Sequence, residues 1–71
     1  MYTWKVEVYL KNGNEMEALY HGPEAETGEV AKQLFKDDHL NTILDLRTKD
    51  DKATIFIRLN EIMAMEIRPG K

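Results

Sequence analysis

The chain has no cysteine, which excludes disulfides and thiolate metal sites. It has no serine either, so the two commonest side-chain nucleophiles are missing together. Only two histidines, His21 and His39, remain as soft metal ligands. The four glycines, Gly13, Gly22, Gly28 and Gly70, are dispersed and form no phosphate-cradling loop. No stretch approaches the roughly 18 consecutive apolar residues of a membrane span. The opening "MYTWKVEV" alternates charged and apolar residues and lacks the apolar core of a signal peptide. A soluble, cytoplasmic protein with no membrane partner is expected. There is no basic surplus: 10 Lys and Arg face 13 Asp and Glu, a net charge of −3. Phosphate neutralisation supplies much of the affinity of nucleic-acid binders, so a nucleic-acid partner is disfavoured.

What is present is 71 residues, one small domain spanning 1–71. A chain of this length buries only about 60% of the surface its unfolded form exposes. Small domains usually add a disulfide, a metal or a partner subunit. With the first two excluded or poorly provided for, self-association into a homodimer or larger assembly is the expected staple.

Residues 4–10, "WKVEVYL", alternate: Trp4, Val6, Val8 and Leu10 on one face, Lys5, Glu7 and Tyr9 on the other. This predicts a half-buried strand. Asn12-Gly13 is a strong hairpin signal, because both residues tolerate positive φ. Residues 15–20 alternate again, with Met16, Ala18 and Tyr20 facing the core. Gly22-Pro23 stops that strand and opens an irregular segment over 21–29. Thr27 reads as a helix N-cap, with Glu29 favourable in the first turn. Val30, Ala31, Leu34 and Phe35 recur at helical spacing, predicting a helix from about 29 to 36 that stops before Asp37 and Asp38. Residues 42–48 form a third strand with Leu44 and Leu46 on one face, and 49–52, "KDDK", form a polar turn.

The last apolar stretch is "TIFIRLNEIMAMEI", residues 54–67. Ile55, Ile57, Leu59, Met63, Met65 and Ile67 share one parity, which fits period 2 and not 3.6. One straight strand of that length would run roughly 46 Å. A domain of this size is only about 30 Å across, from a radius of gyration near ~11 Å. The strand must break, and Leu59-Asn60-Glu61 is where polar residues interrupt the apolar face. Two strands follow, about 53–59 and 62–68. The fold class is therefore α+β, in the order ββαβββ, a curved antiparallel sheet with one short helix. Two strands joined by a bend, closing a set of five, resemble the ending of SH3-like and Sm-like barrels. A twisted open sheet with the helix across one face fits the same pattern.

The face opposite the core carries Tyr9, Leu19, Ile43, Phe56, Ile62 and Ala64 among charged residues. Single exposed hydrophobics are ordinary, but an apolar residue on nearly every strand is not the pattern of a wholly solvated face. Either the sheet curls or a partner covers it. Tyr9, Ile43, Phe56 and Ile62 are the expected contact residues. Arg47, Arg58 and Arg68 share that face and would cluster if their strands were adjacent. Tyr20 and His21 end a strand beside the irregular segment and could rim a small-ligand site, built between subunits with Arg47 and Arg58. "DDH", 37–39, reads better as a solvated loop than as a metal site, because consecutive residues rarely converge on one ion. Glu15/Glu17 and Asp50/Asp51 lie on strand faces or turns with no apolar pocket to raise a pKa. No catalytic residue, metal or cofactor is expected. Trp4 reads first as a core aromatic by its parity, with a partner anchor at the start of an edge as the other reading.

Brevity, the "NGN" hairpin and the ending "IFIRLNEIMAMEIRP" resemble small proteins encoded by phages and prophages of Gram-positive bacteria. That resemblance implies no catalytic residues. It implies an accessory or inhibitor protein that binds a host protein stoichiometrically, or one that sequesters a small signal molecule. The leading expectation is thus a non-enzymatic binding module with a protein partner. An oligomeric sponge for a small nucleotide-like anion is the alternative, and an Sm- or SH3-like nucleic-acid binder stands third.

Overall fold

The computed structural model describes residues 1–35 and 43–70. Within them run β1 (Tyr2–Leu10), β2 (Glu15–Gly22), α1 (Thr27–Leu34), β3 (Ile43–Thr48), β4 (Thr54–Arg58), a 3₁₀ turn (Leu59–Glu61) and β5 (Ile62–Pro69). The strands make one five-stranded antiparallel sheet in the order β4-β3-β2-β1-β5. The protein is a small α+β domain with an open sheet and one short helix. The expected helix end near 36, the start of the third strand at 42 and the "DDH" segment with His39 lie outside the described residues.

Strands β4 and β5 are consecutive in the chain yet occupy opposite edges of the sheet. In a flat sheet those edges would stand four strand spacings apart, roughly 19 Å. Four peptide steps from Arg58 to Ile62 reach at most about 15 Å, and a 3₁₀ turn shortens that further. The sheet must therefore curl until its edges approach. The Lys11 N–H donates to the Glu61 carbonyl at 2.9 Å, tying the turn to the first hairpin. The break at 59–61 falls where the sequence places it.

The curl gives the sheet one enclosed face. Trp4, Val6, Val8, Ala18, Leu44, Leu46 and Ile57 are buried there, and Val30 and Leu34 of α1 complete the core. Val30 and Leu34 are one helical turn apart, so the helix buries one stripe and packs beside β5. A domain of this length holds a net stability of roughly 4 to 11 kcal/mol. Truncating one fully buried Leu or Ile costs about 2–5 kcal/mol, a large share of that total. Leu46, Val6, Val8 and Val30 are the most enclosed side chains.

Two local expectations are corrected. The first hairpin closes through the loop Lys11–Gly13: the Gly13 N–H donates to the Leu10 carbonyl at 3.0 Å, and the Leu10 N–H to that of Asn14 at 2.8 Å. Only Gly13 is left-handed, at φ +93°, while Asn12 is not and instead accepts the Asn14 N–H through Oδ1 at 2.9 Å. This is a turn followed by one left-handed glycine, not a two-residue Asn-Gly turn. At the helix, Glu26 and not Thr27 is the N-cap: its backbone is extended, at φ −127° and ψ 144°. Its carbonyl accepts from Glu29 and Val30, so Thr27 is already helical.

Ile62 was expected on the second face and Met63 in the core. A register shift between Tyr9 and Leu10 pairs Tyr9 with Ala64 but Leu10 with Ile62. The skipped residue is Met63, which is 70% exposed, and Ile62 instead packs against the core. A β-bulge of this kind inserts one residue and reverses the alternation beyond it. Ile62→Asp should cost at least about 1 kcal/mol more than Met63→Asp, since only the former sets a charge against the core. Equal losses in urea unfolding would show that the bulge does not set the two faces.

Candidate functional site

The outward face of β3 and β4 carries Ile43, Asp45 and Arg47 opposite Arg58, Phe56 and Thr54. Their neighbours Leu44, Leu46, Ile55 and Ile57 point inward, which leaves this set to solvent. Phe56 is 71% exposed and Ile43 55%. Ile43 pairs with Arg58 and Asp45 with Phe56, so Ile43 and Phe56 are diagonal neighbours. Diagonal positions stand roughly 7–8 Å apart, within reach of an aromatic ring. They make one small apolar patch flanked by Asp45 and Arg58, beside the outer edge of β4, which pairs with no other described strand.

The other expected contact residues do not join it. Tyr9 lies on β1, with β2 and β3 between it and β4, and is half-buried. Ile62 faces the core. The three arginines also separate. Arg68 is on β5, at the far edge, bonded to Glu66 at 3.3 Å and 3.7 Å from Glu7. Arg47 is engaged with the β3–β4 turn, and Arg58 lies toward the other end of β4.

A second constellation forms where the sheet is weakest. The β2–β3 ladder has only two pairs, Ala18 with Thr48 and Leu19 with Arg47. Beyond them both strands continue, and a cleft of about 260 Å³ opens, lined by Leu19, Tyr20, His21, Asp45, Leu46, Arg47 and Thr54. Side chains bridge the gap at its outer end. Thr3 lies opposite His21 across the β1–β2 ladder, and its Oγ1 is 3.0 Å from His21 Nδ1. His21 Nε2 is 3.2 Å from Asp51 Oδ1. Arg47 donates through Nε to Asp51 Oδ1 at 3.0 Å and through a terminal nitrogen to the Asp51 carbonyl at 2.8 Å. Its remaining terminal nitrogen donates to Thr54 Oγ1 at 3.1 Å. The tautomer with Nε2 protonated satisfies both sides, donating to Asp51 and accepting the Thr3 hydroxyl.

Asp51 is the one described non-glycine residue with positive φ, at +61°. A short polar side chain tolerates that region, and here the carboxylate is also held from two directions. The Arg47 bond first, and the His21 bond second, lower its pKa below the ordinary carboxylate value. Its neighbour Asp50 closes the same turn, accepting the Thr48 hydroxyl at 2.6 Å and the Lys52 N–H at 3.1 Å, which lowers its pKa too. The paired carboxylates Asp50/Asp51 are thus turn-forming groups.

Behind the cleft, the Tyr20 hydroxyl donates to Glu24 Oε1 at 2.8 Å, and the Trp4 Nε1–H donates to the Glu24 carbonyl at 3.1 Å. Burial, then the Glu24 bond and the charges of Glu24 and Asp45, push the Tyr20 pKa up to about 12. Trp4 is a core aromatic, as its parity indicates. A Cβ at Gly22 would run into Glu24 Oε1 and sit 2.6 Å from the Tyr20 hydroxyl, so glycine there makes room for this bond.

Thr3, Glu24 and Asp51 were not legible as site residues. Alternation places Thr3 on the His21 face, but no local signal brings Asp51 back to a histidine thirty positions away. Among the described residues no group of three His, Cys, Asp or Glu side chains is placed to hold a metal ion. No described helix is long and apolar enough to cross a membrane. No protein-family model matches the chain, and no curated protein or solved structure does.

The sign of the pH effect follows from Asp51. Its folded pKa lies below the ordinary 3.8, so its stabilising contribution is complete above that value. The contribution is lost as pH falls from 3.8 through the lower folded value. Thermal melts between pH 6 and pH 2 should show Asp51→Asn less stable than wild type near neutrality, with the gap closing under acid. A constant gap at every pH would show that the carboxylate's charge has no part in holding the turn.

Proposed function

We propose that the chain is a non-catalytic binding module that acts stoichiometrically on a protein partner through the outward face of β3 and β4. The observation that carries this is Phe56, a large aromatic 71% exposed on a strand, with Ile43 diagonal to it and, alongside, a strand edge that pairs with no other described strand. Aromatic, aliphatic and arginine side chains in close mixture are enriched at interfaces. An open edge offers main-chain hydrogen bonds to an added strand. The curled sheet, with β4 and β5 joined by a three-residue 3₁₀ turn, supports reading the scaffold as a small partly open barrel of SH3-like or Sm-like type. An accessory protein of the phage or prophage kind fits this size and mode of action.

The site chemistry favours binding over turnover. A hydroxyl, an imidazole and a carboxylate are linked in sequence at Thr3, His21 and Asp51. A nucleophilic relay needs that carboxylate for its histidine. Here Arg47 takes a share of it, and the His21 and Asp51 side chains are 30% and 46% exposed, so water screens the group. The arrangement suits a latch between strands. A second reading, self-association across the same patch, is supported by the small core and the lack of any covalent staple.

In pull-downs with purified partner, wild type should saturate at a fixed ratio. Phe56→Glu and Arg58→Ala should weaken capture at least tenfold while keeping the wild-type circular dichroism, because both residues are exposed. Lys5→Ala, on β1, should capture normally. Undiminished capture by Phe56→Glu would overturn the assignment, as would multiple turnovers by substoichiometric protein that vanish in His21→Ala. In sedimentation, self-association predicts a concentration-dependent species above 8.3 kDa that Phe56→Glu abolishes.

A further inference from the structure

The cleft between β2 and β3 opens on the same outward face, because its Asp45 is the cross-strand partner of Phe56. We propose that this cleft receives an arginine side chain of the protein partner, with the Asp45 carboxylate as its acceptor. The proposal rests on the reading of β3–β4 as the partner face and names what that partner presents there.

Size decides the kind of occupant first. Small-molecule pockets run about 300–1,000 Å³, and this cleft, at about 260 Å³, falls just short. It suits one inserted side chain better than a complete nucleotide. Charge decides next. The one arginine lining it, Arg47, is already bonded to Asp51 and Thr54, so its charge is largely neutralised within the chain. Asp45 makes no hydrogen bond or ion pair with another described residue, and it lines the cleft together with Tyr20. Among the described residues the available charge in the cleft is therefore negative. That disfavours an anion built on Arg47, Tyr20 and His21 and favours a cation. The net charge of −3 adds a weaker attraction of the same sign.

Shape then separates arginine from lysine. The lining supplies the rings of Tyr20 and His21 and the aliphatic Leu19 and Leu46 around one carboxylate. A planar guanidinium stacks on aromatic faces and meets a carboxylate with two parallel N–H bonds. Past Leu19 and Arg47 the backbone rims are released from the ladder, so carbonyls of alternate residues can take the remaining donors. An ammonium would use the charge alone.

The test is an NMR titration of ¹⁵N-labelled full chain with N-acetyl-arginine amide, its neutral isostere N-acetyl-citrulline amide, and adenosine monophosphate. The arginine probe should shift the amides of Tyr20, His21, Asp45 and Leu46 and saturate. Citrulline should bind at least tenfold more weakly, as should arginine to Asp45→Asn. Shifts spread over the surface, equal binding of citrulline, unchanged binding by Asp45→Asn, or adenosine monophosphate occupying the cleft would each overturn the proposal. If the arginine titration fails while Phe56→Glu still abolishes partner capture, the cleft assignment falls and the patch stands. If arginine binds but Phe56→Glu captures normally, the patch falls instead.

Discussion

Three residues, Leu59–Glu61, join the two edges of a five-stranded sheet, and that short tether governs the rest of the structure. A flat sheet would hold those edges farther apart than the connection can reach. Curling brings one face inward and closes it around Val6, Val8 and Leu46, with Val30 and Leu34 of the helix filling the space. Only through that enclosure does so short a chain gather a core at all. The bulge at Met63 belongs to the same solution: β5 starts directly out of the tight turn, and one extra residue lets Ile62 still face the core.

Curling also has a cost, and it falls on the seam between β2 and β3. With only two ladder pairs, the first and second hairpins are weakly joined through the backbone. Polar side chains take over there. Thr3, His21, Asp51 and Arg47 run from β1 across β2 to the β3–β4 turn. The left-handed backbone of Asp51 aims its carboxylate at both His21 and Arg47. Each of these contacts is partly exposed, so their joint geometry matters more than any one of them. The same splay leaves the cleft.

The outward face is mixed for a structural reason. Antiparallel strands with one buried face must show the other outside, and on β1, β2 and β5 charged side chains largely occupy it, Glu7 paired with Arg68 and Glu17 with Lys49 of the β3–β4 turn among them. On β3 and β4 the same alternation presents Ile43 and Phe56, beside the edge of β4 that pairs with no other described strand. Edge strands are usually blunted by charge, proline or cover. Arg58 at one end guards this edge only in part.

Much of this was legible in the sequence because it is local. Alternation set the inward residues of β1 to β4, the apolar spacing marked the helix, and a length argument located the break at 59–61. Those signals depend on periods of 2 and 3.6, which any short window contains. The exposure of Phe56 and Ile43 followed from the same parity. Strand order did not, and it decided which surface residues meet. Arg68 went to the far edge from Arg47 and Arg58, and Tyr9 was separated from Phe56 by two strands. A single bulge reversed Ile62 and Met63, because one added residue shifts parity without altering composition. The meeting of His21 with Asp51 joins residues thirty positions apart, and the β2–β3 cleft exists only because two strands diverge. Pairings of distant segments are fixed by how the whole sheet closes its core, which no local pattern encodes.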